Sequence, residues 1–440
     1  MDHKGDPPRL NEEPMAEAQA AAGIRWLRFV RLAAVDIGPL RRHRDFRLLS
    51  TGQLVSFFGS MVTDVAVAFQ VYQLTHSTVL VGLLAGVELI PMLALGLAGG
   101  LFADARDRRR MVLVSEVAFM VISGALLFNA SLASASVPLI FGLTAVRAGL
   151  FAIQRPSLDA LLPRLVSADE IPAATAISAI RGTVGMIAGP AAGGMLIAVA
   201  GLPFAYGLDV ATFALSLAML RMMREVPPPP SAEAPSLRRL AEGLRYAWSR
   251  QELVGTYIVD IAAMFFGMPM ALFPAIAARF GGATVLGFLY AAPAVGSLAV
   301  ATTSAWTGKV RRHGLGVISA ATAWGLAIIA FGFATTPLVA LAMLAAAGAA
   351  DCVSGIFRSA IWNQTIPDGL RGRLAGIEFL SYTTGPALGN VEAGLVGGLV
   401  GVQAAVVSGG ILCVVVVTSI GALLPKMRAY SWAPRPGANS

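Results

Sequence analysis

Acidic side chains occur inside the long apolar segments of this chain. Asp64 and Glu88 lie in the first half, and Asp260 and Asp351 lie in the second. A charged side chain at the centre of an apolar layer costs about 2.5–3.5 kcal/mol, so such residues normally face an interior and serve a function. A carboxyl group in apolar surroundings can load and release protons near neutral pH. The sequence therefore predicts that these four acids are candidates for proton exchange.

A static salt bridge is the alternative role for these acids. Arg147 and Arg181 also stand well inside apolar segments and are the candidate charge partners. Proton exchange is favoured for Asp64, because Gln53 and Ser56 share its face at helical spacing. For the other three acids, the two roles are equally supported.

Other kinds of site chemistry are not supported by the sequence. The two cysteines, Cys352 and Cys413, lie in apolar runs without a metal-binding spacing, and the four histidines are scattered. There is no phosphate-binding loop of the GxxxxGK[ST] type and no Gly-x-Ser-x-Gly or HExxH motif. We therefore expect no enzyme activity, no cofactor and no metal.

The composition is that of a membrane protein. Of the 440 residues, 56% are hydrophobic and 13% are charged, about half the charged share of a soluble domain. A span needs about 20 apolar residues. Twelve such segments are predicted, at 46–73, 78–103, 110–131, 137–157, 172–199, 203–223, 253–277, 284–307, 314–333, 337–359, 372–397 and 401–424.

Basic residues predict the orientation of these spans. Of 33 Lys and Arg residues, Arg279 alone falls in a loop on the side opposite the termini, and Arg147 and Arg181 fall within spans. Because Lys and Arg are concentrated in cytoplasmic loops, both termini are predicted to be cytoplasmic. The net charge of +8 reflects this orientation. The basic residues recur in short clusters and do not form a stripe that could bind nucleic acid. Glu116, Asp209 and Glu378 lie near predicted span ends, where we expect exposure at the membrane interface.

The chain is predicted to have five parts. A cytoplasmic N-terminal segment covers 1–45, a six-helix bundle covers 46–223, a linker with a basic amphipathic helix covers 224–252, a second six-helix bundle covers 253–424, and a cytoplasmic tail covers 425–440. The amphipathic helix is expected to lie on the membrane surface.

The two bundles share short sequences. Thr-Val-Leu begins the second span at Thr78 and the eighth at Thr284. Gly-Pro-Ala occurs in the fifth span at Gly189 and in the eleventh at Gly385. Two six-span units in parallel repeat are typical of the two halves of major facilitator transporters.

The loop between the second and third spans contains a glycine, an acid and a run of arginines. It extends from Gly100 through Asp104 to Arg108 and Arg109, and it resembles the loop signature of the major facilitator superfamily. A tight turn would place Asp104 beside a helix end while the arginines hold the cytoplasmic surface. A plain basic loop is the alternative, but the order of residues favours a gate.

The fifth span resembles the antiporter motif of the same superfamily. Gly185, Gly189 and Gly193 share one helix face and permit close approach of a neighbouring helix, and Pro190 allows a bend. Ordinary small-residue packing would need the same residues. The resemblance implies export rather than import.

A closer resemblance is to the enterobactin-exporter-like branch, which also holds macrolide efflux proteins. The stretches that carry it are 75–78, 273–277, 287–292, 364–367 and 372–373, and the similarity covers about 41–425. The resemblance implies an all-α membrane protein with the major facilitator fold, in which twelve transmembrane helices form two six-helix pseudo-symmetric bundles.

The resemblance also implies a function. We expect a secondary active transporter that exports a small amphipathic molecule by proton-coupled alternating access. A siderophore is the first candidate for the cargo, and a macrolide or other drug, which would confer antibiotic resistance, is the second. A lipid or lysolipid flippase and a non-transporting membrane scaffold or sensor are the alternatives. The expected partners are a small-molecule substrate, protons and the lipid bilayer of the cell inner membrane, without nucleic acid, and the chain is expected to be a monomer.

Overall fold

The computed structural model describes residues 36–104, 108–225, 242, 245–367 and 370–431, without the side chains of 97–104, 371–373, 375–377 and 379. The regular elements of these residues are helices. They are, in chain order, α1 Gly38–Arg42, α2 Arg44–Thr75, α3 Thr78–Asp104, α4 Arg108–Ser131, α5 Val137–Leu161, α6 Ile171–Arg221, α7 Gln251–Gly267, α8 Phe273–Phe280, α9 Ala283–Thr303, α10 His313–Gly332, α11 Pro337–Thr365, α12 Arg371–Val400, α13 Val402–Leu423 and α14 Pro425–Arg428.

Helix α6 contains two of the predicted spans. It is 51 residues long, and its helical backbone is interrupted at Gly201, where φ is 82° and ψ is 173°. A positive φ is readily adopted only by glycine, so this residue lets the chain reverse direction. The interruption falls between the predicted fifth and sixth spans, 172–199 and 203–223.

The predicted seventh span, 253–277, is not one continuous helix. Helix α7 ends at Gly267, a short 3-10 turn covers Met270–Leu272, and α8 begins at Phe273. Proline at 269 and 274 removes backbone donors in this region and prevents a continuous hydrogen-bond ladder. The stretch Gln251–Phe280 as a whole is long and apolar enough to cross a membrane, as predicted, but the interruption within it was not predicted.

Ten helical stretches among the described residues are long and apolar enough to cross a membrane. The interrupted stretch Ala168–Arg221 counts once among them, and α12, with 30 residues, is not included. The chain is thus an all-helical multi-pass protein, and the count of twelve spans stays a prediction.

The two ends of the helix bundle differ in their loops. At one end, called the arginine-rich side, lie α1, the 162–170 loop and the 424–431 segment. At the other end, called the far side, lie the turns at His76, Gly201, Gly281 and Gly401, where φ is positive. His76 caps α2 in the left-handed conformation and closes a short turn into α3.

The first and second halves of the chain meet through glycines near the far side. A Cβ placed on Gly82 of α3 would lie 3.0 Å from the Cα of Gly394 of α12. A Cβ placed on Gly194 of α6 would lie 2.8 Å from the Cα of Gly287 of α9. Glycine permits backbones to approach this closely. The helices of the two halves are therefore in direct contact at the far side.

On the arginine-rich side, polar contacts join neighbouring elements of the first half. Glu170 accepts a hydrogen bond from Arg42 at 2.8 Å and lies 2.5 Å from Nε2 of His43. Arg109 donates to the carbonyls of Leu220 and Arg221 at the end of α6, at 3.3 and 3.0 Å. Helix-terminal carbonyls have no partner within their own helix, so these donors stabilise the helix ends.

Candidate functional site

A cavity of about 820 Å³ lies among α2, α3, α4, α5 and α6. This volume falls within the range of small-molecule binding sites. Its described lining residues lie between Phe46 and Phe213, and thus in the first half of the chain. Its charged lining residues are Asp64, Glu88, Glu116, Arg147, Arg155, Asp159 and Arg181.

Asp64 and Arg147 form an ion pair in this cavity. Arg147 Nη1 lies 2.5 Å from Asp64 Oδ1, and its Nη2 donates to the carbonyl of Ser60 at 3.3 Å. The accessible fraction is 16% for the arginine side chain and 43% for the aspartate side chain. The structure thus joins two residues that the sequence proposed, and Arg147 is a charge partner of Asp64.

Glu88 lies at the same depth as this ion pair. It stands ten residues after Thr78, and Arg147 stands ten residues after Val137, so both lie about 15 Å from the far end of their helices. Within the described residues, Glu88 makes no hydrogen bond or ion pair, but it is within electrostatic reach of Asp64 and Arg147. Among the described lining residues, it is the acid without a direct partner at the deep end of the cavity.

Glu116 is buried, and the expectation of exposure at the membrane interface was wrong. Its side chain is 1% exposed, and Oε1 accepts hydrogen bonds from Gln53 at 2.8 Å and from Gln154 at 3.0 Å. The other carboxyl oxygen, Oε2, has no hydrogen-bond partner among the described residues. The position of Glu116 near a predicted span end concealed that two amides from neighbouring helices face it.

Asp209 is also buried, contrary to the expectation of exposure. It is 0% exposed, and its Oδ2 accepts hydrogen bonds from Thr63 at 2.7 Å and from Ser123 at 2.6 Å. These hydroxyls come from α2 and α4, so the carboxyl group links three helices. Glu378, the third acid of this group, is partly exposed.

In the second half, Arg358 joins the two candidate acids. It forms an ion pair with Asp260, and its Nη2 lies 3.6 Å from Asp351 Oδ1. Ser381 donates to Oδ2 of Asp260 at 3.2 Å. Arg358 was not among the predicted charge partners, although its spacing of seven residues from Asp351 places both on one helix face.

Arg181 lines the cavity but is not a charge partner of the predicted kind. Within the described part of the chain, it makes no hydrogen bond or ion pair. The charged residues with which it interacts electrostatically are Arg155 and Asp159, not Asp64 or Glu88. Arg155 and Asp159 already pair with each other at 3.3 Å.

The glycines of the antiporter-like motif face α2. Side chains at Gly185, Gly189 and Gly193 would meet Phe57, Met61 and Val62, respectively. The predicted close packing of this face is therefore present. The backbone around Pro190 keeps helical φ and ψ angles, and the residue with non-helical angles inside α6 is Gly201.

The loop proposed as a gate is described in part. The backbone of α3 is helical through Gly100 to Asp104, but the surroundings of these two residues and all of 105–107 lie outside the described part of the chain. Arg108 donates to the carbonyl of Ala160 at the end of α5, at 3.3 Å. With Arg109 bound to the end of α6, these arginines connect three helices on the arginine-rich side.

Comparison with known proteins identifies the family. The sequence profile of the transmembrane secretion effectors matches residues 34–438. The chain belongs to this family. It is 29% identical to the enterobactin exporter EntS of Shigella boydii serotype 4 over 83% of this chain and 87% of that one. It is 28% identical to that of Citrobacter koseri over 91% and 96%.

Solved transporter structures share the fold. A POT family transporter in complex with 5-aminolevulinic acid has a TM-score of 0.70 at 12% identity and covers 88% of this chain and 97% of its own. A bacterial homolog of the human lysosomal transporter Spinster has a TM-score of 0.68 at 15% identity and covers 89% and 98%. The major facilitator fold and the resemblance to the enterobactin-exporter branch are confirmed. The chain is therefore a transmembrane secretion effector with the fold of these transporters.

Proposed function

We propose that this transporter exports a small amphipathic molecule from the cytoplasm in exchange for protons, and that a siderophore is the cargo. Export of enterobactin by its relatives supports the cargo class. Proton coupling is supported by the position of Glu88. This acid has no direct partner among the described residues and lies near the Asp64–Arg147 ion pair at the deep end of the cavity.

The orientation of the chain follows from its arginines. Lys and Arg are enriched in cytoplasmic loops, so the arginine-rich side is cytoplasmic and both termini lie there. The contacts of Gly82 with Gly394 and of Gly194 with Gly287 then hold the halves together on the outer side. In this state, cargo enters the cavity from the cytoplasm.

Glu88 suits the role of proton carrier better than Asp64. Arg147 donates directly to Asp64, so the aspartate has a cation as a fixed partner. Glu88 has no such cation in direct contact, so it can be neutral in one state and charged in the other. Its proton would be taken up from outside and released to the cytoplasm. One charge that crosses the membrane contributes about 2.3 kcal/mol per 100 mV.

Transport by the purified full chain in proteoliposomes tests this proposal, with enterobactin as the probe. An imposed pH gradient should drive accumulation by the wild type. Glu88→Gln should abolish that drive but retain exchange of labelled for unlabelled cargo, since glutamine keeps the size and cannot titrate. Glu392→Gln is the matched control, because Glu392 is a partly exposed acid outside the cavity lining. Gradient-insensitive transport by the wild type would reject proton coupling.

A further inference from the structure

One cationic side chain of the cavity lacks a partner among the described residues. Arg181 of α6 lines the wall, is partly buried, and forms no hydrogen bond or ion pair with the described residues. A guanidinium has five N–H donors in a planar fork that matches carboxylate geometry. Arg147, by contrast, uses its donors on Asp64 and on the carbonyl of Ser60.

The remaining charges of the cavity lining are accounted for within the protein. Asp64 pairs with Arg147, and Asp159 pairs with Arg155. Glu116 accepts from two amides. This leaves Glu88 at the deep end and Arg181 without a direct partner among the described lining residues.

The two unpaired groups lie at different depths. Glu88 stands ten residues from the far end of α3, about 15 Å along the helix. Arg181 stands 19 residues before Ala200, where the first part of α6 ends, about 29 Å from that end. Arg181 is thus about 14 Å closer to the arginine-rich side than Glu88, the proposed proton site.

Apolar side chains line the interval between them. Phe151 stands 14 residues after Val137, and Met186 stands 14 residues before Ala200, so both lie about 21 Å from the far end. Met92 of α3, 14 residues after Thr78, lines the cavity at the same level. An apolar body of a ligand could contact these residues while a polar group reaches Arg181.

We propose that Arg181 binds an anionic group of the cargo and that the cavity therefore selects amphipathic anions with an apolar body. This inference rests on the proposed function, which supplies the transported molecule. It concerns only the binding of that molecule and not its coupling to protons. Charge-assisted hydrogen bonds are stronger than neutral ones, and a bidentate contact also fixes orientation. The pairing of the other cations leaves Arg181 as the anion-binding group of the described lining.

Three dansyl probes of similar size and different charge test the proposal. Dansylglycine is anionic, dansylglycinamide is neutral, and dansyl-ethylenediamine is cationic. Their binding to the full chain in nanodiscs is followed by dansyl fluorescence, with empty nanodiscs subtracted. The wild type should bind the anion most tightly. Arg181→Gln should weaken binding of the anion roughly ten- to a hundred-fold and leave binding of the neutral amide within about two-fold.

Arg155→Gln is the matched control. Arg155 lines the same cavity, but it is exposed and paired with Asp159, so its loss should change binding of the anion less than three-fold, about 0.6 kcal/mol. Equal binding of the three probes by the wild type would overturn the proposal, and so would equal loss in both arginine variants. Tightest binding of the cationic probe would instead assign recognition to Glu88 and would also overturn it.

A second variant tests whether the probe occupies this cavity. Gly182 lines the cavity beside Arg181, and a Cβ there would meet no atom within 4 Å. Gly182→Leu should therefore fold normally, fill the space and weaken binding of all three probes. Unchanged anion binding in this variant would place the site elsewhere. Binding needs no pH gradient, so selective binding without gradient-driven export would reject the proposed coupling and leave this inference standing.

Discussion

Gly194 of α6 and Gly287 of α9 meet with no space for a side chain on either residue. A Cβ on Gly287 would lie 2.9 Å from the Cα of Gly194, and Gly82 and Gly394 repeat this relationship between α3 and α12. The equivalent spans of the two halves thus make the same kind of contact with the opposite half. Both contacts lie near the far side, so together they close that side of the bundle.

Gly194→Leu should favour a conformation in which the far side is open, because the leucine cannot fit against Gly287. The expected result is faster modification of Thr78→Cys by a membrane-impermeant maleimide, in a background without Cys352 and Cys413. Thr78 is 7% exposed in the present state. Gly207→Leu is the control, since a Cβ there would meet no atom within 4 Å. Equal labelling of the two variants would contradict the closing role of Gly194.

Glu116→Leu should destabilise the first half by about 1–3 kcal/mol for each amide left without an acceptor. Gln53 and Gln154 both donate to Oε1, so Glu116→Gln should be milder because its carbonyl oxygen can accept both bonds. The measurement is thermal unfolding of the purified protein in detergent. Similar melting temperatures for the leucine and glutamine variants would show that these bonds contribute little.

Arg358→Leu should be strongly destabilising, by about 3–5 kcal/mol, because it leaves Asp260 without its cation in a buried site. Asp260 is 6% exposed. The double variant Arg358→Leu with Asp260→Asn should recover part of the loss, since it removes the unpaired charge. The exposed pair of Arg155 and Asp159 offers the comparison: Arg155→Gln should cost about 0–1 kcal/mol. Denaturant unfolding of the four proteins gives these differences, and no recovery in the double variant would contradict the charge argument.

Reporter fusions should place the loops on the two sides of the membrane. Fusions after His76, Ser134 and Gly201 should report the outside, and fusions after Arg110 and Arg312 should report the cytoplasm. The measurement is the activity of paired reporters that work on opposite sides. One reversed site would be incompatible with twelve spans in the predicted orientation.

The sequence was sufficient for most of the helices and for four charged residues of the cavity, Asp64, Glu88, Arg147 and Arg181. Uniformly apolar runs define spans regardless of tertiary contacts, so most helix bounds agree with the predicted segments. Partners are different, because they depend on which helices are neighbours. Asp64 and Arg147 are 83 residues apart, and nothing in the sequence chose Arg147 over Arg181.

The burial of two acidic residues was predicted wrongly. Glu116 and Asp209 were assigned to the interface by their distance from predicted span ends, but buried donors on neighbouring helices surround them. The interruption within the seventh span was not predicted, because apolar composition does not distinguish one helix from two short ones. Pro269 and Pro274 were the available signal for that interruption.

The described walls of the cavity come from the first half of the chain, between Phe46 and Phe213. A molecule bound there would move together with the first half when the two halves rock against each other. Its contacts with the described walls would be kept during the movement and released only after the opposite side opens. The energy barrier of the conformational change would then depend on the surfaces where the halves separate. Different residues would therefore set the binding affinity and the rate of the conformational change.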